Sequence, residues 1–301
     1  MSAIAPAART RRGSLTHPSR TGVALVLPAV AFVFVFVIVP LIAAIGISFT
    51  NMPLIGDWSF TGLTNYALAL TDPVFGRAIL YTLIYTAIVT LPILALGYAL
   101  AVMVRANRRG STVLRTIFFL PYVIGLTTIS FIALLEAQPN SGAVNVVLKW
   151  LGITDGSTAW LVDGPLATGL ICALVIWGVS GLTMVLLLSA MQGVPGAVYE
   201  SAELDGASWW QTEWQVTMPM IRRPMAMSVI ISVIGSFLAF TQFFILTQGG
   251  PGSETTTVVM SVYRRAFVDL QLGSATAMSL LLVLLTGLVT AVQFLMLREK
   301  D

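Results

Sequence analysis

Charge is scarce in this chain of 301 residues: Asp, Glu, Lys and Arg make up 10% of it, against 57% hydrophobic residues. A soluble globular chain carries about 25% charged and about 45–50% apolar residues. The deficit excludes a soluble enzyme, a disordered protein and a nucleic-acid partner, and it predicts that most apolar surface faces lipid. Cysteine and histidine are scarcer still. A single cysteine, Cys172, excludes an intrachain disulfide, and with a single histidine, His17, it leaves no ligand set for zinc. No segment reads G-x-x-x-x-G-K-[ST], so the usual ATP-phosphate cradle is missing. No catalytic residue, metal or cofactor is expected.

What is present is six long apolar runs, near 23–49, 78–104, 117–135, 166–191, 225–247 and 274–297, none of which contains Asp, Glu, Lys or Arg. Each is long enough for a spanning helix, which takes about 20 apolar residues, and none shows the short alternating pattern of a membrane barrel. The expected fold is an all-α membrane protein, a polytopic bundle of six transmembrane helices. Residues 1–20 read as a disordered basic tail and 21–301 as the transmembrane domain. The run after the tail is too long for a signal-peptide core and has no small-residue cleavage site behind it. Pro28, Pro40, Pro92 and Pro121 fall in or near the spans, where neighbouring helices satisfy the freed carbonyls. Twelve of the sixteen basic residues flank the spans on the side of both termini. That asymmetry predicts cytoplasmic termini and contact of this side with anionic membrane lipid.

The spans also lack His and Asp, which removes the usual equipment of an intramembrane protease and of a proton relay. Energy for any transport must then come from outside the spans. An ion-coupled or stand-alone carrier or channel for a small polar solute is the alternative reading.

One loop breaks the pattern, the stretch 192–224 on the arginine-rich side. Pro195 suits a helix start, and a helix from Gly196 to Leu204 is expected. Asp205-Gly206 interrupts it, with Gly206 as a left-handed stop. Asp205 or Ser208 caps a second short helix carrying Trp209, Trp210 and Trp214, which Pro219 ends. The loop holds four acids, Glu200, Glu203, Asp205 and Glu213, and no basic residue before Arg222. Two readings stay open on this chemistry: an interfacial hairpin with tryptophans at the headgroups, or a docking knob for a cytoplasmic partner.

Glu200-Ser201-Ala202, Asp205-Gly206-Ala207 and Met218-Pro219 together resemble the EAA loop of the permeases of binding-protein-dependent ABC importers. Ser201 stands for the first alanine of that pattern and Met218 for its usual leucine. The resemblance extends along the chain. Leu27-Pro28, Pro40 and Ser48-Phe49-Thr50 bound the first span, and Phe60-Thr61-Gly62-Leu63-Thr64-Asn65-Tyr66 looks like the family's F-x-G-L-x-N-Y segment. Arg115 to Pro121 reads R-x-x-F-F-L-P, and Gly235-Ser236-Phe237 with Thr247-Gln248-Gly249-Gly250-Pro251-Gly252 resembles the end of the fifth span. The set is similar to the carbohydrate branch, including maltose-type and glycerol-3-phosphate-type permeases.

The resemblance implies a bacterial cytoplasmic (inner) membrane location and a transport subunit rather than an enzyme. It implies a second permease subunit, two cytoplasmic ATPase subunits that hydrolyse ATP, and an extracytoplasmic solute-binding protein. It also implies that Glu200, Ser201, Ala202, Asp205, Gly206, Ala207 and Pro219 belong to the ATPase-coupling loop, with Gly206 setting the bend.

A sugar pathway needs hydroxyl-bonding and stacking groups, and the candidates are Trp177, Ser236, Phe240, Thr241 and Gln242. Gln242 in mid-span is costly unless paired, so it either joins helices or faces the pathway; Trp177 is either packing or pathway. Gly178, Gly181 and Gly235 read as sites of close helix approach, and Glu136 as a solvated helix end. Arg264 and Arg265 oppose the charge rule on the outer side, beside Tyr263. Those three mark either a helix lying on the membrane or a contact with the binding protein or solute.

Overall fold

The computed structural model describes residues 19–106 and 109–297. Arg9, Arg11, Arg12, His17, Arg108, Arg298 and Lys300 lie outside the described residues, as does nearly all of the expected tail. Among the described residues the structure is helical, with two isolated β-bridges and no strand. Five helices among the described residues are long and apolar enough to cross a membrane: Gly22–Ser48, Pro73–Arg105, Gly164–Gln192, Arg222–Leu246 and Leu272–Met296. A bent pair, Ser111–Ile124 and Leu126–Glu136, makes a sixth if counted as one span. We number the spans in chain order, with the bent pair third.

The chain divides into two units, 1–47 and 48–301. In the first, the helix begins at Ser19, inside the segment expected to be tail. It passes through a π-helical segment, Phe34–Ile38, into Val39–Ser48. The Val39 amide bonds to the Phe34 carbonyl five residues back. Pro40 follows at once. It has no N–H, and its ring would crowd the carbonyl of Phe36 in a regular α-helix, so the wider register accommodates it. Leu25, Val30, Phe32 and Phe36 are exposed along this apolar helix.

In the second unit the second and fourth spans pack together. Between lipid-facing helices there is no hydrophobic drive, and close approach supplies the association. Glycine provides it: a Cβ on Gly97 of the second span would lie 2.6 Å from Thr183 of the fourth. On the fourth span's side toward the bent third span, a Cβ on Gly181 would lie 2.1 Å from the Phe118 carbonyl oxygen and one on Gly178 2.9 Å from Ile129. Gly235, expected to act likewise, has open space beside it. Tyr85, Val89 and Ile93 of the second span, Ile171 and Val175 of the fourth and Phe243 of the fifth form one buried cluster.

The third apolar run, expected as one continuous helix over 117–135, is instead bent by 89°. The bend is at Gly125, whose φ of +88° and ψ of +148° no residue with a side chain adopts readily. The fifth run is also interrupted. Helix Arg222–Phe237 stops, and Thr241–Leu246 restarts after a non-helical Phe240.

The F-x-G-L-x-N-Y segment has a structural explanation. Asn65 is buried and donates to the carbonyls of Ser48 (2.8 Å) and Thr50 (2.7 Å), while the Tyr66 hydroxyl meets that of Ser48 at 2.7 Å. Glu136 stands half-exposed at the end of its helix and has a structural partner as well. It accepts from the Ala143 amide at 2.8 Å and so caps the helix Ala143–Trp150.

Candidate functional site

The 192–224 loop begins as its residues dictate. The helix spans Gly196–Leu204. It ends in a double closure: the Gly206 amide bonds to the Glu203 carbonyl at 3.0 Å and the Ala207 amide to the Ala202 carbonyl at 3.0 Å. This Schellman pattern needs a left-handed residue at its corner, and Gly206 supplies it with φ of +73°. Glu200, Ser201, Glu203 and Asp205 are exposed, Ala202 and Ala207 half-buried. Leu204 is 89% exposed, leaving an apolar tip among carboxylates.

Ser208, not Asp205, caps the next segment. Its hydroxyl accepts from the Gln211 amide at 3.4 Å, and the Gln211 side chain accepts from the Ser208 amide at 2.7 Å. Helix Trp209–Gln211 then widens into a π-helix, Thr212–Thr217. Pro219 does not end this piece. The helix continues through Met218–Met220 and breaks at Ile221. The Met218 amide reaches back to Glu213 and the Ile221 amide to Thr217, so the proline's missing N–H falls where the ladder changes register.

The second segment carries its polarity inverted. Trp209, Trp210 and Trp214 are each more than half exposed, whereas Glu213 is 2% exposed. The tryptophans and Leu94, Ala99 and Val102 of the second span line an apolar pocket of about 560 Å³. Glu213 turns inward to the same span. Arg105 Nη2 donates to its Oε1, and the Tyr98 hydroxyl donates to its Oε2 at 2.8 Å. The other Arg105 nitrogen, Nη1, donates to Thr217 Oγ1 at 3.2 Å and approaches the Tyr199 hydroxyl at 3.4 Å. The guanidinium carbon lies 5.1 Å from the Tyr199 ring centre. Sequence reasoning missed this cluster. In the sequence Arg105 is one of the twelve basic residues beside the spans and Glu213 one of four acids in the loop. The available signal was an acid set among three tryptophans, with nothing to say which would be inside.

Ser236 and Gln242 meet at a cavity of about 210 Å³, whose lining also includes Tyr85, Tyr122, Ser228 and Ser232. Gln242 is buried and its Nε2 donates to the Tyr85 hydroxyl at 3.2 Å. Ser236 bonds back to the Ser232 carbonyl at 2.8 Å, as a serine in a helix commonly does. Tyr85 is the member that sequence reasoning passed over. The other candidates lie elsewhere. Phe240 stacks on Phe244, centres 5.1 Å apart, and leans on Tyr263 at 5.2 Å. Thr241 is half-buried at the start of its short helix. Trp177 is 55% exposed on the outside of the fourth span.

At the opposite end, Tyr263, Arg264 and Arg265 lie on helix Val258–Phe267. Arg265 pairs with Asp72 at 2.9 Å and Asp269 at 3.5 Å, and Arg264 donates to the Gln248 carbonyl. Asp72 also caps the second span through the Val74 amide at 2.8 Å. All of these border a cleft of about 640 Å³. Both arginines therefore have partners within the chain. Among the described residues no group of three or more His, Cys, Asp or Glu is placed to hold a metal ion.

The arrangement is that of known transport proteins. The family model for the binding-protein-dependent transport system inner membrane component matches residues 93–299. The multiple sugar-binding transport system permease protein MsmF of Streptococcus mutans is 32% identical over 272 residues, covering 90% of this chain and 91% of its own. The diacetylchitobiose uptake system permease protein NgcF of Streptomyces coelicolor is 31% identical, covering 96% and 86%. In structure, the chain is similar to one in a bacterial alginate ABC transporter crystallised with an alginate pentasaccharide-bound periplasmic protein. The TM-score is 0.82 at 22% identity, over 93% of this chain and 94% of that one. The chain belongs to the family of binding-protein-dependent transport system inner membrane components, the membrane permease subunits of ABC transporters.

Proposed function

We propose that this permease subunit forms part of the import pathway for a sugar or sugar-like solute in a bacterial cytoplasmic membrane, with both termini in the cytoplasm. It pairs with a second permease subunit, binds two ATPase subunits on the arginine-rich side and receives solute from a binding protein on the other. The sugar class rests on the relatives named for sugar and diacetylchitobiose uptake. It is supported by a hydroxyl- and amide-lined cavity in which Gln242 and Ser236 face Tyr85.

The observation that carries the coupling role is the free surface of helix Gly196–Leu204. Its backbone is satisfied by the Gly206 turn, and its side chains Glu200, Glu203 and Leu204, with the C-cap Asp205, are left exposed. An apolar tip rimmed by carboxylates suits a cleft with a greasy floor and a basic edge, which we place on the ATPase. Ser201, Ala202 and Ala207 give that surface its small-residue contour, and Pro219 lies at the loop's far end. Tyr263, Arg264 and Arg265 remain candidates for contact with the binding protein through the outer cleft.

The test is co-purification in mild detergent. An ATPase subunit should accompany the wild-type chain, and uptake should stop when that ATPase is inactivated. If no ATPase accompanies it and uptake continues, the reading fails.

A further inference from the structure

The Arg105 guanidinium is the last side chain of the second span, and it reaches both halves of the 192–224 loop. It touches Tyr199 in the exposed helix and Glu213 and Thr217 in the π-helical segment. Glu213 in turn is held entirely by the second span, one oxygen by Arg105 and the other by Tyr98. Arg105 and Tyr98 are seven residues apart, two turns along one helix face. The carboxylate is thus clasped along the span's axis rather than pinned at one point.

Stability alone does not account for the pair. A buried ion pair is often no better for folding than apolar side chains of similar size, and apolar material is at hand in the adjoining tryptophans and in Val102. The local register is also unusual, since π-helical turns are rare and concentrate at functional positions. What a hydrogen-bonded ion pair adds over packing is direction, because it resists sliding as well as separation. The helix it grips is the one that carries Tyr85. That residue lies twenty positions earlier, about 30 Å along the helix, and its hydroxyl receives the Gln242 amide in the cavity.

We propose that the Arg105–Glu213 pair is a latch that makes the loop and the second span move as one body, carrying displacement of the docked loop to the Tyr85–Gln242 cavity. Both are positioning residues; neither is assigned to solute or to the ATPase. The proposal rests on the ATPase-docking reading above.

The test uses the whole transporter, reconstituted with its ATPase and binding protein. Three variants are compared with wild type: Glu213→Gln, Arg105→Lys, and the double variant Arg105→Met with Glu213→Met, which leaves no unpaired buried charge. Assembly, ATPase rate and solute moved per ATP are each measured. Wild-type assembly and ATP-dependent uptake establish the docking reading separately, so its failure would show before any variant is made.

The latch predicts that the double variant assembles with wild-type stoichiometry and hydrolyses ATP at a rate within about twofold. Its solute per ATP falls by about fivefold or more, the size expected when a coupling contact is lost. Arg105→Lys, which keeps the charge without the fork, falls between. Glu213→Gln uncouples like the double variant if it assembles. A double variant that fails to assemble, or that transports with wild-type yield per ATP, overturns the proposal and leaves the pair as structural support.

Discussion

The two halves of the 192–224 loop use the same residue types to opposite ends. In the helix Gly196–Leu204, the acids and the leucine face outward, and the backbone closes on itself through the Gly206 turn. In the stretch 209–217, the acid faces inward onto an arginine and the tryptophans are outside. The first half is organised by local backbone bonds and leaves its side chains available. The second is organised by one long-range ion pair, which takes up its acid and leaves only its tryptophans outside. Identical carboxylates in one loop are therefore surface in one case and scaffold in the other, and the neighbour across the fold decides which.

Deleting the acid from each half breaks this comparison most sharply. Glu213→Ala leaves Arg105 half-stranded, and removing one partner of a buried pair costs about 3–5 kcal/mol. Thermal unfolding of the purified chain should show a large drop. Gly206→Pro comes next. Its φ is held near −65°, whereas the turn needs +73° and an amide to bond Glu203. The local strain is about 1–3 kcal/mol; membrane insertion should survive and co-purification of the ATPase should be lost.

Gln242→Ala, at the far end of the second span's reach, removes the donor to Tyr85 and is worth about 1 kcal/mol. Uptake should fall or sugar preference change, and unchanged kinetics across several sugars would return Gln242 to a helix-joining role. The smallest stability effect belongs to Glu200→Ala, within about 0.5 kcal/mol as for an exposed position. Its ATPase association should nonetheless weaken. Equal unfolding shifts for Glu200→Ala and Glu213→Ala would erase the distinction between the halves.

Much of the fold was legible in the sequence because hydropathy is a summed signal. Six apolar runs of spanning length needed no knowledge of neighbours, and Gly206 and Pro195 encode their conformations in their own covalent geometry. The helix Gly196–Leu204 was readable for that reason. The misses share a cause. The sharp bend at Gly125, in a run that reads as continuous, arises from a glycine that many helices tolerate without breaking. The inward turn of Glu213 depends on Arg105 and Tyr98, more than a hundred residues earlier. The cavity likewise pairs Gln242 with a tyrosine 157 residues away. Of the solute candidates, those brought to the cavity, Ser236 and Gln242, were readable as polar atoms inside a span. The exposed placement of Trp177 was not, because nothing in a helix's composition says which face an aromatic takes.

The free helix of this loop is proposed to seat on an ATPase. Leu204, at its exposed tip, tests it directly. A Leu204→Cys variant in a Cys172→Ala background carries one thiol, and a short thiol-to-amine cross-linker is applied to the assembled transporter in membranes. A product joining this chain to the ATPase subunit is expected, and it is lost when Gly206 is also replaced by proline. Modification by lipid-phase reagents alone, with no ATPase adduct from an intact transporter, would contradict it.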